Sequence, residues 1–186
     1  MGRAVGYVEA ALVLAILLLL GGCAQEAAPP PPVPIDDDAS GYYCGMLVLA
    51  HPGPKAQIWV VGRDSPLWFT SVRDAFAYLQ SGEREGRIRA FYVQDMGRAE
   101  NWAHPGRDAF IPARKAVYVW GSDQHGGMGA PELVPFAERT AAAAFIARHG
   151  GRIFTFVEAR RLPLLGMMPS SPQERSGPES ERENQP

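Results

Sequence analysis

Two short stretches of this chain carry side chains suited to holding a soft metal ion. Tyr43-Cys44-Gly45-Met46 places a thiol and a thioether two residues apart, and in an extended strand both would project from one face. The segment Gly121-Ser122-Asp123-Gln124-His125-Gly126-Gly127-Met128-Gly129 is too rich in glycine to pack as a core element. It carries His125 and Met128 on a backbone free to adopt unusual dihedrals, so both side chains can be aimed at one point. Thiolate and thioether sulfur select Cu(I), and an added imidazole keeps that d¹⁰ ion in low coordination. Cys44, Met46, Met128 and His125 are therefore the candidate ligands of a Cu(I) site.

Each of these residues also has an ordinary role open to it. A Met on a strand usually fills a core, and Met46 can be read that way. Met128, between Gly127 and Gly129, has no apolar run to join. His125 can be a solvated loop histidine, while His51, His104 and His149 read as structural or solvated. Other chemistries gather less support. There is no second pair of thiols and no His-x-x-x-His spacing for zinc. Ser71, Asp74 and the histidines form no nucleophile set, and no glycine-rich phosphate loop separates a strand from a helix.

The elements that must position these residues repeat. Ala56 to Val61 alternates and is β-rich, Ser71 to Gln80 carries apolar residues at helical spacing, and Arg87 to Val93 reads as a strand. The later half has the same order: strand from Lys115 to Trp120, helix from Phe136 to His149, strand from Arg152 to Val157. Ala77-Tyr78-Leu79 aligns with Ala144-Phe145-Ile146, and Ile88 and Phe91 fall opposite Ile153 and Phe156. Gly150-Gly151 ends the second helix where a left-handed cap is wanted. The expectation is a duplicated α+β fold whose halves, each too small to bury its own sheet, pack on one another.

Outside that region the composition changes. Arg3, an apolar run from Ala10 to Leu20 and the sequence Leu20-Gly21-Gly22-Cys23 have the order of a lipoprotein signal: the run is too short to span a bilayer, and a small-residue cleavage site precedes a cysteine able to accept lipid. Residues 1–22 are thus expected to be removed and Cys23 lipidated, with Ala24 favouring the outer membrane. Residues 23–40, with prolines from Pro29 to Pro32, Pro34 and the acids Asp36, Asp37 and Asp38, read as a flexible polyproline spacer. Residues 169–186 read as a disordered tail. With Cys23 assigned to lipid, Cys44 has no partner, and a lone thiol in an oxidising compartment is either buried or used. The formal charge of -2 conceals a mildly basic folded part, but its arginines are scattered and mostly next to acids, which is no nucleic-acid footprint.

The ordered set of motifs resembles the NosL family of nitrous oxide reductase accessory lipoproteins. The resemblance rests on the lipobox, Cys44-Gly45-Met46, His51-Pro52-Gly53-Pro54-Lys55, Asp95-Met96-Gly97, and Gly121-Ser122-Asp123 through Gly127-Met128-Gly129 to Glu132-Leu133-Val134-Pro135-Phe136. It implies two similar ββαβ units, here drawn at 41–100 and 101–168. It further implies that the chain carries Cu(I) to nitrous oxide reductase alongside a dedicated ABC transporter, facing the periplasm from a lipid anchor. In that role Cys44 as thiolate supplies affinity, and Met46 and Met128 are exchangeable thioethers, with His125 a further ligand. The sequence departs from relatives in having Tyr42-Tyr43 before the cysteine and Gly126-Gly127 where Gly-Pro is common. Two other classes stay open at this stage: a thiol-dependent enzyme with an organomercurial-lyase-like fold, for which Asp95 is the one acid to set beside Cys44, and an envelope binding module without metal.

Overall fold

The computed structural model describes residues 28–82 and 84–164. The expected signal peptide, Cys23 and the expected tail from 169 onward lie outside the described residues. Among the described residues, seven strands form two antiparallel sheets. β1 (Ala56–Val60), β2 (Leu67–Phe69), β3 (Ile88–Gln94) and β4 (Phe110–Pro112) make the first, in the order β2-β1-β3-β4. β5 (Val117–Trp120), β6 (Val134–Phe136) and β7 (Arg152–Thr155) make the second, in the order β6-β5-β7. Helix α1 (Val72–Gln80) joins β2 to β3, and α2 (Arg139–His149) joins β6 to β7. Each half therefore runs strand, strand, helix, strand, with its first strand central, and the repeat expected from the apolar patterns is present in the topology.

The two halves share a core because α1 is enclosed by both. Its start is fixed locally: Ser71, in extended backbone, accepts a hydrogen bond from the Asp74 amide and so satisfies one of the orphan donors of the first turn. Every residue from Val72 to Tyr78 is then buried. Phe76 meets Phe91 of the first sheet at 5.4 Å between ring centroids, Tyr118 of the second at 5.0 Å, and Phe156 at 5.4 Å. A ring held on three sides by aromatic edges leaves a cavity if truncated, at a cost of about 3–5 kcal/mol. α2 instead covers one face of the second sheet through Ala142 and Phe145, packed with Val119, Val134 and Phe136. It ends at Gly150, whose φ of 70° and ψ of -165° lie in a region open essentially to glycine rather than in the left-handed helical cap that the Gly150-Gly151 pair suggested, and its amide bonds the Ile146 carbonyl at 2.8 Å.

Several boundaries differ from those read in the sequence. Phe136 lies in β6 rather than in the second helix, and the last strand stops at Thr155. Thr155 and Glu158 form a reciprocal capping box that starts the short helix α3 (Phe156–Ala159), so Phe156 enters the core from a helix instead of extending the strand. β4 pairs with β3 from Tyr92↔Pro112 to Gln94↔Phe110, which carries the first sheet past the division drawn after Glu100.

The proline-rich segment is also not a free spacer along its whole length. Val33 exchanges two hydrogen bonds with the Gln57 side chain, at 3.1 and 2.8 Å, and Ile35 does the same with Arg107, at 2.9 and 3.0 Å. The Tyr92 hydroxyl donates to Pro30 O at 2.7 Å. Ile35 is buried beside Val48 and Trp68 in a small apolar cluster of its own. Proline cannot pair with itself in a ladder, but its carbonyls still accept, and two aliphatic side chains give the segment something to bury. Residues 28–40 thus form a strap across β1 and β3.

Candidate metal centre

Cys44 sits in a tight turn rather than on a strand. The Gly41 amide bonds Met46 O at 2.8 Å, the Gly45 amide bonds Gly41 O at 2.8 Å, and Gly45 takes a φ of 65°. The turn is fastened to the edge of the first sheet by Tyr42 N to Trp68 O at 2.7 Å. The Cys44 thiol lies over Gly41, where a Cβ would come within 2.7 Å of Sγ, and 4.0 Å from the Thr70 hydroxyl. Met46 leaves its thioether on the surface, 43% exposed.

The glycine-rich loop reaches the same threonine from the other half of the chain. Its base is closed by the bridge His125↔Pro131 and by Gly126 N to Ala130 O at 2.8 Å. At its tip Gly127 rests on two neighbours so closely that a Cβ there would lie 2.6 Å from His51 Cβ and 3.1 Å from Thr70 O. Met128 follows, 40% exposed. Thr70 is therefore the meeting point: its hydroxyl lies 4.0 Å from the Cys44 thiol and its carbonyl faces Gly127, so both motifs reach the same residue, and His51, 76 residues before Gly127, packs on the loop as well. Both thioethers stay accessible, which an incoming ligand requires and a core methionine would not show.

The histidines are arranged differently from the sequence reading. His125 is exposed, with Nδ1 bonded to the Asp123 carbonyl at 3.0 Å, and no contact ties it to Cys44 or Thr70. His51 lies against the loop instead. Its Nδ1 is 2.9 Å from Gly127 O, and since a carbonyl can only accept, Nδ1 carries the proton. Nε2 is buried and has no hydrogen-bond partner. An imidazole fixed through one N–H on a backbone carbonyl, with the other nitrogen unspent, is the arrangement of a metal-binding histidine. Sequence reasoning set His51 aside because no spacing motif links it to Cys44 or Met128; its place seven residues after Cys44 and just before Pro52 was the available signal.

Two buried charges hold these loops from beneath. Lys55 donates to the carbonyls of Pro52 at 3.1 Å and Gly53, fixing the backbone that follows His51; burial lowers its ammonium to about 8, against the opposing pull of Glu132. Glu132 Oε1 accepts from Ser71 Oγ at 3.1 Å, Arg73 N at 2.9 Å and Leu133 N at 2.9 Å, and so ties the loop's exit to the start of α1. Its Oε2 has no partner, a methyl group at Gly126 would overlap it, and burial raises the carboxyl to about 7. Asp95, the acid an enzymatic reading would place beside Cys44, is buried and bonded through Oδ1 to the amides of Gly97 and Ala137 at 2.9 and 3.0 Å. Among the described residues no three His, Cys, Asp or Glu side chains converge on one point.

Comparison with known proteins adds to this geometry. The NosL family model matches residues 32–161. The copper-binding lipoprotein NosL of Achromobacter cycloclastes is 50% identical over 119 residues, 63% of this chain, and its namesake from Stutzerimonas stutzeri is 35% identical over 122 residues, 66% of this chain. The chain spans 62% of the length of each of these relatives. The crystal structure of the copper chaperone NosL from Shewanella denitrificans resembles this fold with a TM-score of 0.64 at 36% identity, covering 69% of this chain and 96% of that one.

Proposed function

Since the chain belongs to the NosL family, we propose that it is a lipid-anchored carrier that holds one Cu(I) ion between its two halves and passes it on for assembly of the copper centre of nitrous oxide reductase. The observation that supports a shared site most is that the Cys44 thiol and the Gly127 backbone both approach Thr70, one at its hydroxyl and the other at its carbonyl. The reading is of a carrier rather than an enzyme, as for the relative titled a copper chaperone.

Cys44, Met46 and Met128 suit Cu(I) by their softness, and His51 is the imidazole best placed to join them, with His125 the alternative from the sequence. Copper here is cargo. Cys44 must give up its proton to bind as thiolate, which provides most of the affinity. The thioethers bind weakly and stand exposed, so a ligand from a receiving protein can enter before either leaves. The glycine-rich loop allows the small movement this exchange needs, while Lys55 and Glu132 keep the loops in place without touching the ion. The receiving side, on this reading, is the dedicated ABC transporter and apo nitrous oxide reductase at the periplasmic face, and lipid on Cys23 keeps the carrier near it.

Titration of the reduced protein with Cu(I) against a competing chelator tests the reading. Met128→Leu keeps volume and apolarity while removing the sulfur, and at an exposed position it leaves thermal stability nearly unchanged. It is expected to weaken Cu(I) binding by roughly tenfold or more, and Cys44→Ser by more still, since it offers a hydroxyl that stays protonated. Parent-like affinity in Met128→Leu would place the site elsewhere.

A further inference from the structure

The strap brings the N-terminal part of the chain to one particular face of the domain. Ala28 and Pro29 border two adjoining grooves lined by Arg84, Arg87, Arg89, Arg114 and Arg160. All five arginines are exposed. Arg89 donates to Ala28 O at 3.3 Å, and Arg114 and Arg160 both stand over the ring of Phe156, at 5.0 and 6.0 Å from its centroid. No acidic side chain lines either groove among the described residues; Glu85, nearby, is paired with Arg63 at 3.1 Å, and Arg87 has an interaction of its own, so the open charge rests on Arg84, Arg89, Arg114 and Arg160. Like charges gathered on one surface repel, and holding two guanidinium groups over one ring without an acid between them invites an external anion.

Cys23 lies five residues before Ala28. Five residues reach at most about 18 Å however they run. A lipid on Cys23 would therefore hold Ala28, and the arginines around it, close to the headgroup layer. We propose that this arginine face is a membrane-contact surface that rests on anionic phospholipid headgroups and sets the orientation of the domain. The proposal relies on the lipid-anchored reading of Cys23. The face lies at the Ile88 end of β3 and past the C-terminal end of α1, whereas Thr70 and Lys55 lie at the opposite ends of the same elements. With β3 spanning roughly 20 Å, the Thr70 region, with Met46 and Met128 beside it, then lies on the side away from lipid, where a partner can receive the metal.

The test uses the lipidated mature protein, its N-terminal mass verified, reconstituted into vesicles of phosphatidylcholine alone or of phosphatidylcholine mixed with phosphatidylglycerol. Flotation with the neutral vesicles reports the anchor by itself, and its absence would overturn the anchored reading and this proposal with it. Labelling of arginines by phenylglyoxal, mapped by peptide mass, reports the face. An arginine close to an anionic surface gains about fivefold in association, so labelling of Arg84, Arg89, Arg114 and Arg160 is expected to fall about fivefold in the anionic vesicles and to recover in high salt. Arg148, on α2, should label equally in both. Equal labelling of the four in the two vesicle types refutes the membrane face. Protection that is equal in both and vanishes when residues 169–186, with their four glutamates, are deleted also refutes it and assigns the face to the tail.

Discussion

Gly127→Ala is the substitution that most directly tests whether the two halves must touch for copper to bind. Gly127 does not take a positive φ, so alanine carries no backbone penalty there, and the whole effect comes from its methyl group. That methyl would lie 2.6 Å from His51 Cβ, 3.0 Å from His51 Cγ and 3.1 Å from Thr70 O. Ordinary carbon contacts begin near 3.5 Å, so the loop has to withdraw by about 1 Å. Overpacking of this kind costs roughly 1–3 kcal/mol, which in a chain of this size lowers Tm by about 3–10 °C. The withdrawal also breaks the bond from His51 Nδ1 to Gly127 O and carries Met128 with it; loss of such a support typically costs 10–100-fold in metal affinity. Gly129→Ala is the matched control: its φ of 74° makes alanine strained by about 1–2 kcal/mol, but nothing lies within 4 Å of the added methyl. Differential scanning calorimetry should show comparable losses for the two variants, and chelator competition should show a large affinity loss for Gly127→Ala alone. Equal Cu(I) affinities in the two variants would refute the argument that the His51–Gly127–Thr70 contact shapes the site.

Other consequences can be checked with the same methods. His51→Gln should weaken Cu(I) binding at least tenfold while His125→Gln changes it less than threefold; the reverse order would return the imidazole role to the residue chosen from sequence. Glu132 has a carboxyl raised by burial to about 7 from an ordinary 4.5, so its contribution to stability is complete below about pH 4.5 and is lost as pH rises through 7, by up to about 3 kcal/mol. Urea midpoints between pH 5 and 7.5 should therefore fall in the parent and stay flatter in Glu132→Gln, and parallel slopes would contradict the assignment. Ile35→Ala should cost about 2–4 kcal/mol in urea unfolding, as expected for a buried aliphatic side chain and not for a spacer.

The repeat was legible because Ala77-Tyr78-Leu79 and Ala144-Phe145-Ile146, and the pairs Ile88 and Phe91 with Ile153 and Phe156, keep matching apolar spacing. β2 and β6, of three residues each, are too short to show a period, and Val134-Pro135-Phe136 hides a strand behind a proline at the sheet edge. The helix at α3 announced itself in Thr155-Phe156-Val157-Glu158, a Thr-x-x-Glu capping signature that the β-rich run before it obscured. Cys44, Met46 and Met128 were picked out as candidates by chemistry alone. His51 was not, because what distinguishes it is the carbonyl of Gly127 and an unpartnered Nε2, both made by contact between distant parts of the chain. Proline content misjudged the strap for a related reason: composition counts the missing donors of Pro30 and Pro34 but cannot see that Tyr92, Gln57 and Arg107 supply partners from elsewhere.

The strap also imposes an order of events on a chain that is synthesised N-terminus first. Its partners Gln57, Tyr92 and Arg107 come 24, 62 and 72 residues after Val33, Pro30 and Ile35 respectively. Those contacts cannot form until most of the polypeptide has emerged and β1 and β3 have paired, so closure of the strap is a late, high-contact-order step. Until then residues 28–40 stay undocked, and anything that acts on this part of the chain before β1 and β3 pair meets it without its later partners.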